Sequence, residues 1–86
     1  MTTNNIPVKV YSASWCGFCR MVKQYLASKN VPFEEIDIEA DRGAAEYIVN
    51  KTQQAGIPVT EIGEDVIIGF DREKIDVSLR QHKLVA

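Results

Sequence analysis

The sequence predicts a small α/β domain with the order β-α-β-α-β-β-α, a four-stranded mixed sheet carrying helices on both faces. Three observations predict it. Apolar residues switch along the chain between period-two and helical spacing, so strands and helices alternate. A strand–helix–strand unit opens the chain, which calls for parallel strands joined by a right-handed crossover. A Gly63-Glu64-Asp65 turn between two apolar runs closes it with an antiparallel hairpin.

The elements follow in order. Residues 1–6 form a short, polar, flexible tail, and Val8, Val10 and Tyr11 a largely buried first strand. Over residues 18–30 the spacing becomes helical, with Phe18, Met21, Val22, Tyr25 and Leu26 on one face and Lys23, Gln24 and Lys29 on the other. Asn30 suits the helix end, and Pro32 prevents continuation. Residues 34–39 alternate as a half-buried strand. Glu34, Glu35, Asp37, Glu39 and Asp41 crowd together there. They read either as an acidic docking surface or, more economically, as an edge strand guarded by charge against aggregation. Asp41 can cap a second helix with Ala44, Ala45, Ile48 and Val49 facing inward, and Gly56 ends that stretch. Residues 58–62 and 66–68 make the hairpin. Asp71 can cap a last helix with Ile75, Leu79 and His82 on one face, where His82 is a packing or surface residue.

A chain of 86 residues is one domain, spanning 1–86. A net charge of -2 argues against nucleic-acid and anionic-membrane partners, which select a basic surface. No apolar run reaches transmembrane length, and no charged-then-apolar leader opens the sequence, so the chain is read as cytoplasmic. A monomer is the expected state.

Two cysteines, Cys16 and Cys19, sit in Trp15-Cys16-Gly17-Phe18-Cys19-Arg20, where the first strand gives way to the first helix. One local pair closes too small a loop to staple a fold. Only a thiolate attacks a disulfide, and an ordinary thiol is mostly protonated at neutral pH. A cysteine at a helix start meets unpaired N–H groups and the positive end of the dipole, both of which favour the thiolate. Arg20 and Lys23 would add positive potential. Cys19 lies one turn inward on the same face, within disulfide reach. Cys16 is therefore the candidate nucleophile and Cys19 the resolving thiol. Gly17 leaves room for a partner's backbone, and Trp15 and Phe18 give the sulfur an aromatic rim. A structural zinc site needs four ligands, and the chain offers two cysteines and His82, so one chain is expected to hold no metal.

Cys-x-x-Cys beside a β-α-β pattern is a known signature of thioredoxin-like redox motifs. From about Val8 to Leu84 the chain resembles the glutaredoxins and the related NrdH-redoxins and mycoredoxins. The matching features are the strand before Cys16, the cysteine pair, Glu35-Ile36-Asp37-Ile38, Gly56-Ile57-Pro58-Val59 and Gly69-Phe70-Asp71. The resemblance implies a thioredoxin fold and a thiol–disulfide oxidoreductase acting on protein or small-thiol mixed disulfides. It implies a cis Pro58 beside Cys16, with the Ile57 backbone pairing with substrate. It also implies a glutathione-like thiol at Gly69, Phe70 and Asp71, with no cofactor tightly bound.

The chain departs from the family in places. Cys-Gly-Phe-Cys replaces the common Cys-Pro-Tyr-Cys. Ala13 stands where glutaredoxins often carry a basic residue, and Val10 where thioredoxins carry a buried acid. Gly69-Phe70 replaces a Gly-Gly turn but is similar to the NrdH-redoxin pair. These departures predict weakened glutathione binding and raise the alternative of an NrdH-type redoxin serving ribonucleotide reductase, with thioredoxin reductase as donor. Relatives with a related Trp-Cys-Gly-x-Cys motif hold an iron–sulfur cluster between two chains, an alternative of another class.

Overall fold

Residues 6–85 are described by the computed structural model. Strand β1 (Val8–Ser12) leads into α1 (Gly17–Ser28), followed by β2 (Glu34–Asp37), α2 (Arg42–Thr52), β3 (Val59–Ile62), β4 (Asp65–Ile68) and α3 (Arg72–Gln81). The sheet order is β2-β1-β3-β4. Strands β1 and β2 are parallel; β3 runs antiparallel to both β1 and β4. The predicted topology stands, and β2 is an edge strand, as its charge suggested. Of the expected tail, residues 1–5 lie outside the described part, and Ile6 is half-buried.

Side-chain alternation splits the core in two. On one face Val8, Val10, Ile62 and Ile67 pack with Val22 and Leu26 of α1 and Ile75 and Leu79 of α3. On the other face Tyr11 and Val59 pack with Ile48 of α2. Helices therefore cover both faces.

Local rules set the boundaries. Asn30, at φ 58°, takes the left-handed position after α1, as its side chain allows. Helix α2 stops at Thr52 rather than running toward Gly56, because Gln53 adopts φ 58° and returns its N–H to Val49 O. Gly63, at φ 59°, is the first of two loop positions between β3 and β4, the requirement of a type II′ hairpin. Strand β2 ends at Asp37, two residues short of the predicted alternation, because the chain turns there: Ala40 and Asp41 both return their N–H groups to Asp37 O.

Two predicted faces are corrected. Phe18 and Met21 are exposed, and the buried stripe of α1 is Cys19, Val22 and Leu26. Val49 of α2 is also exposed, leaving Ile48 as the buried anchor. In both helices the apolar residues span a wider arc than the contact with the sheet.

Candidate active site

The sheet register brings the candidate residues to one end of the molecule. Ser12, last in β1, is level with Asp37, last in β2. Tyr11 is level with Val59 at the start of β3, and Val59 with Ile68 at the end of β4. The loops carrying Trp15 and Cys16, Ile57 and Pro58, and Gly69, Phe70 and Asp71 all leave from that end. So do the N-termini of α1, α2 and α3.

The three helix starts share one device. Asp41 caps α2, its carboxylate accepting from Ala44 N at 3.0 Å. Asp71 caps α3, accepting from Lys74 N at 3.1 Å. At α1 the capping residue is Cys16, whose Sγ accepts from Cys19 N at 3.1 Å. The slot that two helices fill with an anion is filled in the third by sulfur. A thiolate there receives a donated N–H and the positive end of the helix dipole.

Cys16 and Cys19 are close enough for a disulfide, with Cα atoms 5.3 Å apart, inside the disulfide range of about 4.4–6.8 Å. Cys16 keeps 7% of its surface and Cys19 none, so only Cys16 can meet a partner. Gly17 borders open space, where a Cβ would meet nothing within 4 Å. Trp15 and Phe18 are exposed beside it. Trp15 Nε1 also donates to Glu39 Oε2 at 2.7 Å, a contact the sequence did not reveal.

The expected support from Lys23 is corrected. Its ammonium is bound to Glu35 Oε2 at 2.6 Å, and that same oxygen accepts from Ser12 Oγ at 2.9 Å. These bonds hold the Glu35 carboxyl below the usual carboxylate range, the Lys23 bond contributing most. The Lys23 charge is therefore paired with Glu35, and the support that the structure shows at Cys16 is the start of α1.

The Ile57–Pro58 bond is cis, as the resemblance implied, and Pro58 is fully buried with its carbonyl accepting from Gly69 N at 2.8 Å. That bond ties the proline loop to the turn before α3. Gly69 takes φ 82°, with open space around its would-be Cβ. Phe70 does not stand over the turn. It is half-buried against the core and meets the Tyr25 ring edge-on at 5.9 Å. Among the described residues no three His, Cys, Asp or Glu side chains converge as metal ligands would. His82 stands at the C-terminal end of α3, its Nε2 3.2 Å from Asp65 Oδ2.

The glutaredoxin family model matches residues 8–67. The chain is 35% identical over 69 residues to a glutaredoxin-like 8.6 kDa protein of the Clostridium pasteurianum rubredoxin operon, covering 80% of this chain and 92% of that one. A glutaredoxin structure from Archaeoglobus fulgidus superposes with TM-score 0.79 at 25% identity, covering 88% of each chain. The Escherichia coli NrdH-redoxin, described as glutaredoxin-like with a thioredoxin-like activity profile, superposes with TM-score 0.77 at 22% identity, over 84% of this chain and 93% of that one, a likeness of fold. No helix among the described residues is long and apolar enough to cross a membrane. With the cysteine pair at the start of α1 and the family model covering most of the sequence, this chain belongs to the glutaredoxin family.

Proposed function

We propose that the chain is a dithiol thiol–disulfide oxidoreductase. The observation that carries this reading is the sulfur of Cys16 in a helix-capping slot, with Cys19 N–H aimed at it and the Cys19 thiol buried one turn inside. The Cys16 thiolate attacks one sulfur of a substrate disulfide. A mixed disulfide forms, and the other substrate sulfur leaves as a thiolate and takes a proton. Cys19 then gives up its proton and attacks Cys16 Sγ, releasing the second substrate thiol. Two electrons pass to the substrate, and the Cys16–Cys19 disulfide remains. Two small-thiol molecules, or a reductase, return the electrons. Protein disulfides and mixed disulfides with small thiols are the substrates of this reading, and no tightly bound cofactor is needed. Trp15, Gly17, Phe18, and the Ile57 backbone beside Pro58 form the docking rim.

Glutathione is a weak donor in this reading, on grounds shifted by the fold. The Phe70 ring is turned toward Tyr25, so it is not the obstacle. The Asp71 carboxylate already occupies the start of α3, where a glutathione carboxylate would seek N–H donors. This favours the second reading, an NrdH-type redoxin with thioredoxin reductase as donor.

Two measurements test the proposal. Pre-reduced protein should reduce a protein disulfide stoichiometrically, and Cys16→Ser should not. Turnover of one common disulfide should then be compared with glutathione plus its reductase and with thioredoxin reductase plus NADPH. Efficient turnover with glutathione alone would refute the weak-donor claim and leave the dithiol chemistry standing. A reddish-brown protein carrying iron and sulfide, inactive on disulfides, would replace the reading with cluster binding.

A further inference from the structure

We propose that Glu39 is a positioning residue that holds Trp15 as a fixed docking platform beside Cys16. The inference rests on the dithiol reading, but its observations lie outside the cysteine pair. Trp15 is 68% exposed, and an exposed side chain ordinarily samples several rotamers. Here its indole N–H donates to the Glu39 carboxylate at 2.7 Å, across 24 positions of sequence. A bond to an ionised acceptor is among the stronger kinds of hydrogen bond.

The backbone that carries the carboxylate is itself held. Glu39 N–H donates to Asp37 Oδ1 at 2.9 Å. The N–H groups of Ala40 and Asp41 donate to Asp37 O at 3.1 and 3.0 Å, and Ile38 N–H continues the sheet ladder to Ser12 O at 3.0 Å. Asp41 then caps α2. Glu39 thus stands on a loop anchored to the sheet before it and to a helix after it. On the other side, Cys16 N–H closes onto Ala13 O at 3.1 Å and fixes the turn that carries Trp15. The bond clamps the β1–α1 loop to the β2–α2 loop one residue before the nucleophile.

The consequence concerns which disulfides benefit. Ordering a surface before a partner arrives lowers the entropy lost on docking. A protein disulfide brings apolar surface to lay on the indole, whereas a small disulfide engages little beyond the sulfurs. Glu39 should therefore favour protein substrates through affinity rather than through the chemical step.

Trp15 is the single tryptophan, so tryptophan fluorescence reports this side chain alone. The full chain is pre-reduced as wild type, Glu39→Ala, Glu39→Gln, Trp15→Phe and the double variant Trp15→Phe/Glu39→Ala. Single-turnover reduction of insulin and of hydroxyethyl disulfide is measured together with Trp15 anisotropy. Glu39→Ala should lower the anisotropy and raise the half-saturating insulin concentration about fivefold, the order expected from having to immobilise one side chain on docking. The limiting rate on insulin and the small-disulfide rate should each move less than about twofold, the ordinary scale of a surface substitution. Glu39→Gln, which keeps a carbonyl acceptor, should restore most of both signals. Trp15→Phe should lose as much insulin affinity as Glu39→Ala, and the double variant no more than either. Unchanged anisotropy in Glu39→Ala, equal losses on both substrates, or additive losses in the double variant would overturn the proposal. A wild-type protein that reduces neither substrate would refute the dithiol reading and the role of Glu39 in it, whereas an active wild type matched by Glu39→Ala in anisotropy and insulin affinity would refute the anchor alone.

Discussion

At the scale of single residues, exposure divides the work of the two cysteines. Cys16 retains a sliver of surface and Cys19 none. Cys16→Ser should abolish disulfide reduction, because no other thiol can reach a partner. Cys19→Ser should leave the first attack intact and trap the mixed disulfide, visible as a covalent adduct by mass spectrometry and released by dithiothreitol. A fully active Cys16→Ser protein would overturn the assignment. On the α2 face, Tyr11 Oη donates to the buried Glu61 at 2.9 Å, and Tyr47 Oη donates to its other oxygen. Burial first, and then Glu61, push the Tyr11 phenol well above the ordinary tyrosine range. Tyr11→Phe removes one donor from a buried carboxylate, and a loss of about 1–2 kcal/mol is expected in urea unfolding.

At the scale of elements, each helix start can be tested separately. Asp71→Asn keeps an oxygen for the Lys74 N–H but removes the charge, and N-cap preferences for the two residues are close. Stability should change by less than about 0.5 kcal/mol, while the half-saturating glutathione concentration should fall, since the start of α3 becomes available to another anion. No change in glutathione dependence would remove Asp71 as the obstacle. Strand β3 carries a local conflict. Thr60 is fully buried between Val10 and Ile67, and its Oγ1 has no hydrogen-bond partner among the described residues. Thr60→Val, of nearly the same shape, should raise the urea midpoint, by about 1 kcal/mol in stability. A destabilised variant would mean that the hydroxyl finds a partner in solution.

At the scale of the whole molecule, stability should fall at both ends of the pH range. Glu35 is held below the usual carboxylate range by Lys23 and Ser12, and Asp65 by Ser78 and then His82. A carboxylate whose folded pKa is depressed adds stability above its unfolded pKa and loses it as pH falls through the folded value. The urea midpoint should therefore decline from about pH 5 downward, through and below the ordinary carboxylate pKa of about 4. Glu35→Gln and Asp65→Asn should each flatten part of that decline. Tyr11 acts with the opposite sign: its raised pKa adds stability below the ordinary tyrosine value of about 10, lost as pH rises beyond it. A midpoint constant from pH 7 to pH 3 would contradict the acid-side argument.

What the sequence determined by itself was whatever depends on neighbours along the chain. Helical spacing, the aspartate caps at 41 and 71, the αL position at Asn30, the Gly63 turn and the Cys16–Cys19 spacing are local, and each was legible. The crossover and the hairpin fixed which strands run parallel and which antiparallel, whereas the pairing of β1 with β3 came only with the fold. Where α1 turns its apolar arc was not local. Phe18 and Met21 fit the helical stripe as well as Cys19 does, and only the sheet beneath the helix decides which of them is covered. Charge partners were hidden for the same reason. Along the chain Lys23 is a free cation near the thiolate, but β2 brings Glu35 to it, and Glu39 is one acid among several until the register sets it against Trp15. Chain geometry constrains residues three or four apart, but contacts 12 or 24 positions apart exist only once the strands are aligned, so tertiary structure alone selected the partners.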